Sequence, residues 1–240
     1  MHKKYLSSSL LICCILSMHA SSAQTISFGL GPVHTYTNHT TPLVNGTNYL
    51  HYAYVQKWFG FRTKISNKID INIAIANYDI RTLMPVDIYS GQGFTGATIT
   101  RFDVGISYNL LKGHNRFYIK PSIAMGLQFA KKTADLWREQ FRVYGPDYYQ
   151  TRLPDSKGAS NFQIVPVGGF SMGVKFLKRC EAGIIIQGIY GYKTFQTLYF
   201  YYNHKDSPTI ERTAIFESRG TGINSAIFLG INLSKMGNQK

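Results

Sequence analysis

The sequence predicts an all-β chain, built as an eight-stranded antiparallel up-and-down barrel. Three observations lead there. Apolar and polar residues alternate with a period of two over long stretches, those stretches number eight, and the connections between them run long, short, long, short. Successive side chains of a strand point to opposite sides, so a period of two marks a strand, whereas a helix repeats near 3.6. Seventeen tyrosines and 22 glycines in 240 residues suit strands better than helices.

The strands are expected over residues 25–35, 49–65, 69–83, 98–111, 117–131, 162–178, 182–202 and 214–234. Short connections at 66–68, 112–116 and 179–181 read as hairpin turns. Longer ones at 36–48, 84–97, 132–161 and 203–213 read as loops at the opposite rim. That rhythm is the one an up-and-down barrel gives.

The alternation is cleanest in FYIKPSIAMGLQF, residues 117–129, where Phe117, Ile119, Pro121, Ile123, Met125, Leu127 and Phe129 share one face and Tyr118, Lys120, Ser122, Ala124, Gly126 and Gln128 the other. Residues 69–76 set Ile69, Ile71, Ile73 and Ile75 against Asp70, Asn72, Ala74 and Ala76. One such strand does not tell a soluble core from a lipid-facing wall. The polar face decides, because it mixes charge with small residues: Arg101, Asp103, Gly105 and Ser107 alternate with Phe102, Val104, Ile106 and Tyr108. Small and charged side chains together suit a narrow lumen, which eight strands leave just wide enough for side chains to fill. The apolar rows are therefore expected to touch lipid, making the barrel transmembrane.

Arg62, Lys64, Asp70, Arg101, Asp103, Lys120 and Lys175 are expected to form a polar network in that lumen, with bases in excess. Ile185 and Ile189 break the phase of their strand and are assigned to lumen packing. Pro32, Pro121 and Pro166 fall inside strands of a barrel that has no free edge, so each must sit at a bulge or rim unless the register is off by one there, and local bulges are expected at these points. Tyr49, Tyr52, Tyr54 and the run Leu198 to Tyr202 read as an interfacial aromatic girdle.

Residues 1–23 read as a cleaved signal peptide: His2, Lys3 and Lys4 precede an apolar run, and Ser21 and Ala23 occupy the small positions before the cut. Residues 24–240 are then one outer-membrane β-barrel domain. Ile12 before Cys13 does not fit lipid attachment, and beyond the signal no stretch reaches the roughly 18 apolar residues a spanning helix needs. Cys13 and Cys14 leave with the signal, so Cys180 remains alone and no intramolecular disulfide forms. The net charge is +14, or +12 once Lys3 and Lys4 leave. For an exported chain with no zinc spacing or nucleic-acid motif, no nucleic acid is expected. Lipid headgroups and lipopolysaccharide phosphates are the expected counterions.

No catalytic residue, cofactor or metal is expected. A hydrolase or acyltransferase needs a nucleophile beside a histidine that a carboxylate orients. His39, His114 and His204 fall in loops or turns, which leaves His34 and His51 at strand ends without a serine or carboxylate at strand spacing. The most distinctive outer feature is the 132–161 connection, where Trp137, Arg138, Phe141, Arg142, Tyr144, Tyr148 and Tyr149 interleave rings with guanidinium groups, a composition enriched at binding surfaces. It serves either recognition of an unknown external partner or packing on its own rim.

The strand rhythm, with FYIKPSIAMGLQF, FDVGISYNLLK and the closing AIFLGINLSK, resembles the small outer-membrane β-barrel family, in particular the eight-stranded, porin-like domains of Bacteroidetes called PorT-like, over residues 25–234. The resemblance implies residence in the outer membrane of a Gram-negative cell envelope, insertion by the barrel assembly machinery, periplasmic termini and no catalysis. Its closing strand departs from the family in ending on Leu233 rather than an aromatic residue. A structural or recognition role follows. The alternatives are an enzyme acting on outer-leaflet lipid such as lipid A, a narrow solute channel, or a soluble barrel with its apolar face inward.

Overall fold

In a computed structural model the described residues are 24–39, 48–83, 94–111, 116–136, 148–152, 155–158, 161–177 and 179–233. The signal-peptide reading and residues 137–147 lie outside them. Eight long strands form a closed antiparallel barrel: β1 (Gln24–His39), β2 (Asn48–Lys64), β3 (Ile69–Leu83), β4 (Phe94–Tyr108), β5 (Phe117–Leu136), β8 (Phe162–Phe176), β9 (Cys180–Ile189) and β11 (Ser207–Asn232). Three shorter strands, β6 (Tyr148–Gln150), β7 (Asp155–Gly158) and β10 (Gln196–His204), extend the sheet above this ring. Closure comes from the pairing of β1 with β11, from Thr25 opposite Asn232 to His39 opposite Phe216, with one register shift between Thr35 and Thr37. Leu233 donates its backbone N–H to the Gln24 carbonyl at 2.7 Å, so the ring is sealed where β1 begins and β11 ends. A closed ring leaves no edge of unpaired backbone, the condition for a sheet to sit in hydrocarbon.

The connections after β2 and β8 are tight reversals, while 112–115 lie outside the described residues. After Ile65, the Ser66 hydroxyl accepts from the N–H groups of Lys68 and Ile69, a local bond that reverses the chain between β2 and β3. Between β8 and β9, Leu177 takes φ 55°, the left-handed position that a tight reversal demands.

The facing is the one the alternation predicts. Phe28, Val104, Ile123, Met125, Ile227 and Leu229 lie on the outside, each more than half exposed, while Arg101, Gln128 and Gln163 lie inside at 0 %. A soluble barrel reverses this order, so the wall is built for an apolar solvent. Ile185 and Ile189 are buried, in keeping with their lumen assignment.

The three prolines find three places. At Pro32 the register with β2 shifts between Gly31 and Val33, a bulge. Pro121 and Pro166 pair in unbroken register with Phe170 and Met125. The bulges expected at these two do not form; the β4–β5 pairing ends at Ser107 opposite Ser122, one step short of Pro121, and β9 ends at Ile189, one step short of Pro166, so the missing N–H groups fall where pairing stops.

Two further expectations are corrected. The seventh strand is not continuous over 182–202. It breaks after Ile189, turns inward, and resumes as β10, which runs to a tight turn at Lys205 and Asp206, so the expected loop at 203–213 is largely strand. The run Leu198 to Tyr202 is not a girdle either. Leu198, Phe200 and Tyr202 point inward and are buried, because the barrel continues above the apolar belt and needs a core there. Tyr190 and Tyr192, 65 % and 50 % exposed, face outward at the upper margin of that belt. The side chains of Tyr49, Tyr52 and Tyr54 lie outside the described residues.

Candidate functional site

The lumen is filled by three polar layers and an apolar cap. In the lowest, Arg62 of β2 donates from Nη2 to both carboxylate oxygens of Glu181 on β9, at 2.8 and 2.7 Å, and its Nε lies 3.6 Å from Asp70 Oδ2. Lys120 of β5 donates to that same Asp70 oxygen. The Tyr118 ring stands between the two bases, 5.5 Å from the Arg62 guanidinium carbon and 5.1 Å from Lys120 Nζ, positioned for cation–π attraction. Two bases and two acids from four strands thus form one neutral group. Charges drawn from water into a lumen need that balance, since an unpaired one costs several kcal/mol.

In the middle layer Arg101 of β4 grips Asp103 with two parallel bonds, Nε to Oδ1 at 2.7 Å and Nη2 to Oδ2 at 2.8 Å, and reaches across to Gln187 Oε1 at 2.8 Å. A planar guanidinium on a carboxylate is the strongest such pair available. Between these two layers lies a cavity of about 60 Å³, lined by Ser27, Asn72, Ser107, Ser122 and Ser171 among others, which has room and hydroxyl partners for a few waters.

The upper layer is neutral. Gln163 donates to Gln128 Oε1 and to the Arg219 carbonyl, both at 2.8 Å, and accepts from the N–H groups of Tyr192 and Lys193, while Gln128 donates to the Tyr78 hydroxyl at 3.1 Å. Gln163 thereby ties down the inturned segment between β9 and β10. That segment delivers Phe195, 2 % exposed, into an apolar cluster with Val33, Tyr78, Ile80, Ala97 and Ile99. Gly220 makes the fit possible: its φ is +71°, and a Cβ there meets the Phe195 ring at 2.9 Å and Gln128 Oε1 at 3.0 Å.

Of the residues expected in the lumen network, Arg62, Asp70, Arg101, Asp103 and Lys120 turn inward and meet as described. Lys175 keeps the inward phase, opposite Glu181 in register, but lies near the end of β8 at the rim, where it is exposed. Lys64 is half-buried at the same rim, opposite Asp70 in register. Glu181 joins the set, so the three bases and three acids that meet in the two charged layers balance, and the excess of bases is left to Lys64 and Lys175 at the rim. Glu181 falls in what the sequence reads as a turn at 179–181. The signal that could have placed it is its parity with Gly183, Ile185 and Gln187.

Above the belt, Arg152 lies 3.5 Å over the Tyr201 ring and 3.3 Å from Glu211 Oε1, and the Tyr201 hydroxyl donates to Asp155 at 3.0 Å. Slight burial and the Asp155 bond hold the Tyr201 phenol above its ordinary pKa. Tyr148 and Tyr149 belong to β6, opposite His204 and Asn203. Trp137, Arg138, Phe141, Arg142 and Tyr144 lie outside the described residues. In backbone register His34 stands opposite Tyr52 and Ile223, and His51 opposite Thr35. No group of three or more potential metal ligands occurs among the described residues.

No family model and no curated protein matches the sequence. Solved structures do match. The outer membrane protein OprG from Pseudomonas aeruginosa aligns with 90 % of this chain and 98 % of its own at 7 % identity and a TM-score of 0.54. A major outer membrane protein from Thermus thermophilus covers 90 % and 100 % at 7 % identity and a TM-score of 0.46, and the outer membrane protease OmpT from Escherichia coli 90 % and 99 % at 9 % and 0.42. The likeness to OprG is one of fold: a closed antiparallel barrel of the outer-membrane kind.

Proposed function

We propose that this chain is an integral outer-membrane barrel with a structural or recognition role and no catalytic activity. It is exported by a signal peptide at residues 1–23 and inserted by the barrel assembly machinery. The hairpin-turn rim and both termini lie in the periplasm, and the tall rim of β6, β7, β10 and the upper part of β11 lies outside. Outer-membrane lipids and lipopolysaccharide surround it, and an external partner meets the 132–161 connection. Membership among PorT-like barrels belongs to the same proposal and rests on the strand and turn rhythm.

The observation that carries the reading is the facing of the wall, apolar rows outward and ion pairs inward. The plug supports a closed barrel over a channel. Arg101 reaches across the lumen to Gln187, and Phe195 caps it.

The test is fractionation of a producing cell with heat-modifiable gel mobility and surface proteolysis. Recovery in the outer-membrane pellet, a mobility shift on boiling and cleavage in the 132–161 connection from outside are expected. Recovery as a soluble periplasmic protein overturns the reading. Unchanged lipid A acylation in a deletion strain is expected as well, and a changed acylation pattern restores the enzyme alternative.

A further inference from the structure

The outer wall is not uniformly convex. Where β11, β1 and β2 adjoin, a groove of about 880 Å³ opens on the lipid side between Phe28, Leu30, Phe59, Ile75, Ile227 and Leu229. Its floor is Gly29, behind which the Phe228 and Trp58 side chains close the lumen side; a Cβ there lies 3.2 Å from Phe228 Cβ and 3.3 Å from the Trp58 ring. A volume of this size falls in the range of about 300–1,000 Å³ typical of sites that enclose a ligand. On another wall, Phe102, Phe129 and Phe162 succeed one another at 6.0 and 5.1 Å between centroids and cover the surface with rings.

The groove ends in a polar step. Lys57, exposed on β2, pairs in register with Leu30 on one side and Asn77 on the other. On β3 the outward row runs Ile69, Ile71, Ile73, Ile75 and then turns polar at Asn77, which donates to Thr100 at 3.1 Å. One position higher in that row, Asp79 accepts from the Thr98 hydroxyl at 2.6 Å. Lys57 therefore sits at the upper margin of the apolar belt, beside a hydrocarbon-shaped groove. A lysine there extends its stem along apolar surface and lifts the ammonium to the headgroup level.

We propose that this groove is a binding site for one molecule of a phosphorylated, acylated glucosamine lipid, the lipid A of the outer leaflet, with an acyl chain between Leu30 and Ile227 and a phosphate against Lys57. This rests on the membrane reading above and on the orientation that places the tall rim outside. Apolar depth and a single cation at its mouth complement a lipid that joins acyl chains to phosphate, and that orientation puts Lys57 in the outer leaflet. A phospholipid headgroup shares the phosphate but belongs to the opposite leaflet in an asymmetric membrane.

Purified full-length protein in dodecyl maltoside is titrated with bis-phosphorylated hexa-acyl lipid A and followed by native mass spectrometry, with phosphatidylglycerol as competitor. One lipid A per barrel is expected. Lys57→Gln, which removes the cation, and Ile227→Trp, which fills the groove, each weaken it tenfold or more. Lys131→Gln, a change to an exposed base on another wall, leaves it unaltered. Wild-type retention in Lys57→Gln overturns the site, as does equal weakening in Lys131→Gln. Equal displacement by phosphatidylglycerol overturns the lipid A assignment. Recovery of each variant in the membrane pellet with heat-modifiable mobility separates failure of this site from failure of the membrane reading.

Discussion

Arg62 and Glu181 stand 119 residues apart in the chain and meet across the lumen through two hydrogen bonds of 2.8 and 2.7 Å. The two strands that carry them, β2 and β9, are not neighbours; β1 and β11 lie between. The pair can form only when the ring has closed, so it reports closure from within.

Removing Glu181 leaves Arg62 and Lys120 to share Asp70, so the buried group carries one unbalanced positive charge. Glu181→Ala is expected to lower stability by about 3–5 kcal/mol, while the double variant Arg62→Met with Glu181→Leu recovers most of the loss. Urea unfolding in lipid vesicles, followed by tryptophan fluorescence, measures both. A double variant as unstable as the single one contradicts the pairing.

Phe195 caps the lumen from a segment that carries no strand. Phe195→Ala is expected to cost about 3–5 kcal/mol, the usual loss for a large ring removed from a packed core. In the same unfolding assay, a loss within experimental scatter of zero shows that the ring does not pack there.

Gly220 lies in the left-handed region beneath that ring. Gly220→Ala is expected to cost about 1–3 kcal/mol through backbone strain alone, with further loss where the added carbon meets Phe195. Combined with Phe195→Ala, the steric part disappears, and the two losses sum to more than the double variant shows.

How much of this is legible in the sequence follows the physics of each residue. The isoleucines of β3 announce their strand and its facing because a period of two survives any context and one face must be apolar. The pairing of β1 with β11 follows from the count of eight and the alternation of connections. The break after Ile189 is hidden, because Ile184, Ile185, Ile186 and Ile189 read as one apolar run and Gly191, buried where it passes the Arg219 carbonyl, gives no polar cue. Glu181 is hidden by its place directly after a turn, where charge is ordinary. Leu198, Phe200 and Tyr202 mislead for the opposite reason. Rings near an expected rim suit a membrane interface and a buried core equally well, and only the height of the barrel above its belt distinguishes them.

A charge placed on the lipid side tests the wall. Val104 is 58 % exposed on the outward row of β4. Val104→Arg is expected to cost about 2–4 kcal/mol in a bilayer, the range for arginine near the midplane, and far less in a soluble setting. Unfolding in vesicles against a detergent of short chain length gives the comparison.

The most direct measurement is oxygen accessibility along β3. Single cysteines from 71 to 76, in a Cys180→Ser background, carry a nitroxide spin label in liposomes, and relaxation by oxygen, which concentrates in hydrocarbon, is compared with relaxation by a water-soluble nickel chelate. Labels at Ile71, Ile73 and Ile75 are expected to respond strongly to oxygen and those at Asn72, Ala74 and Ala76 weakly, alternating at every step. Strong nickel response at the isoleucine positions, or no alternation, contradicts a lipid-facing wall.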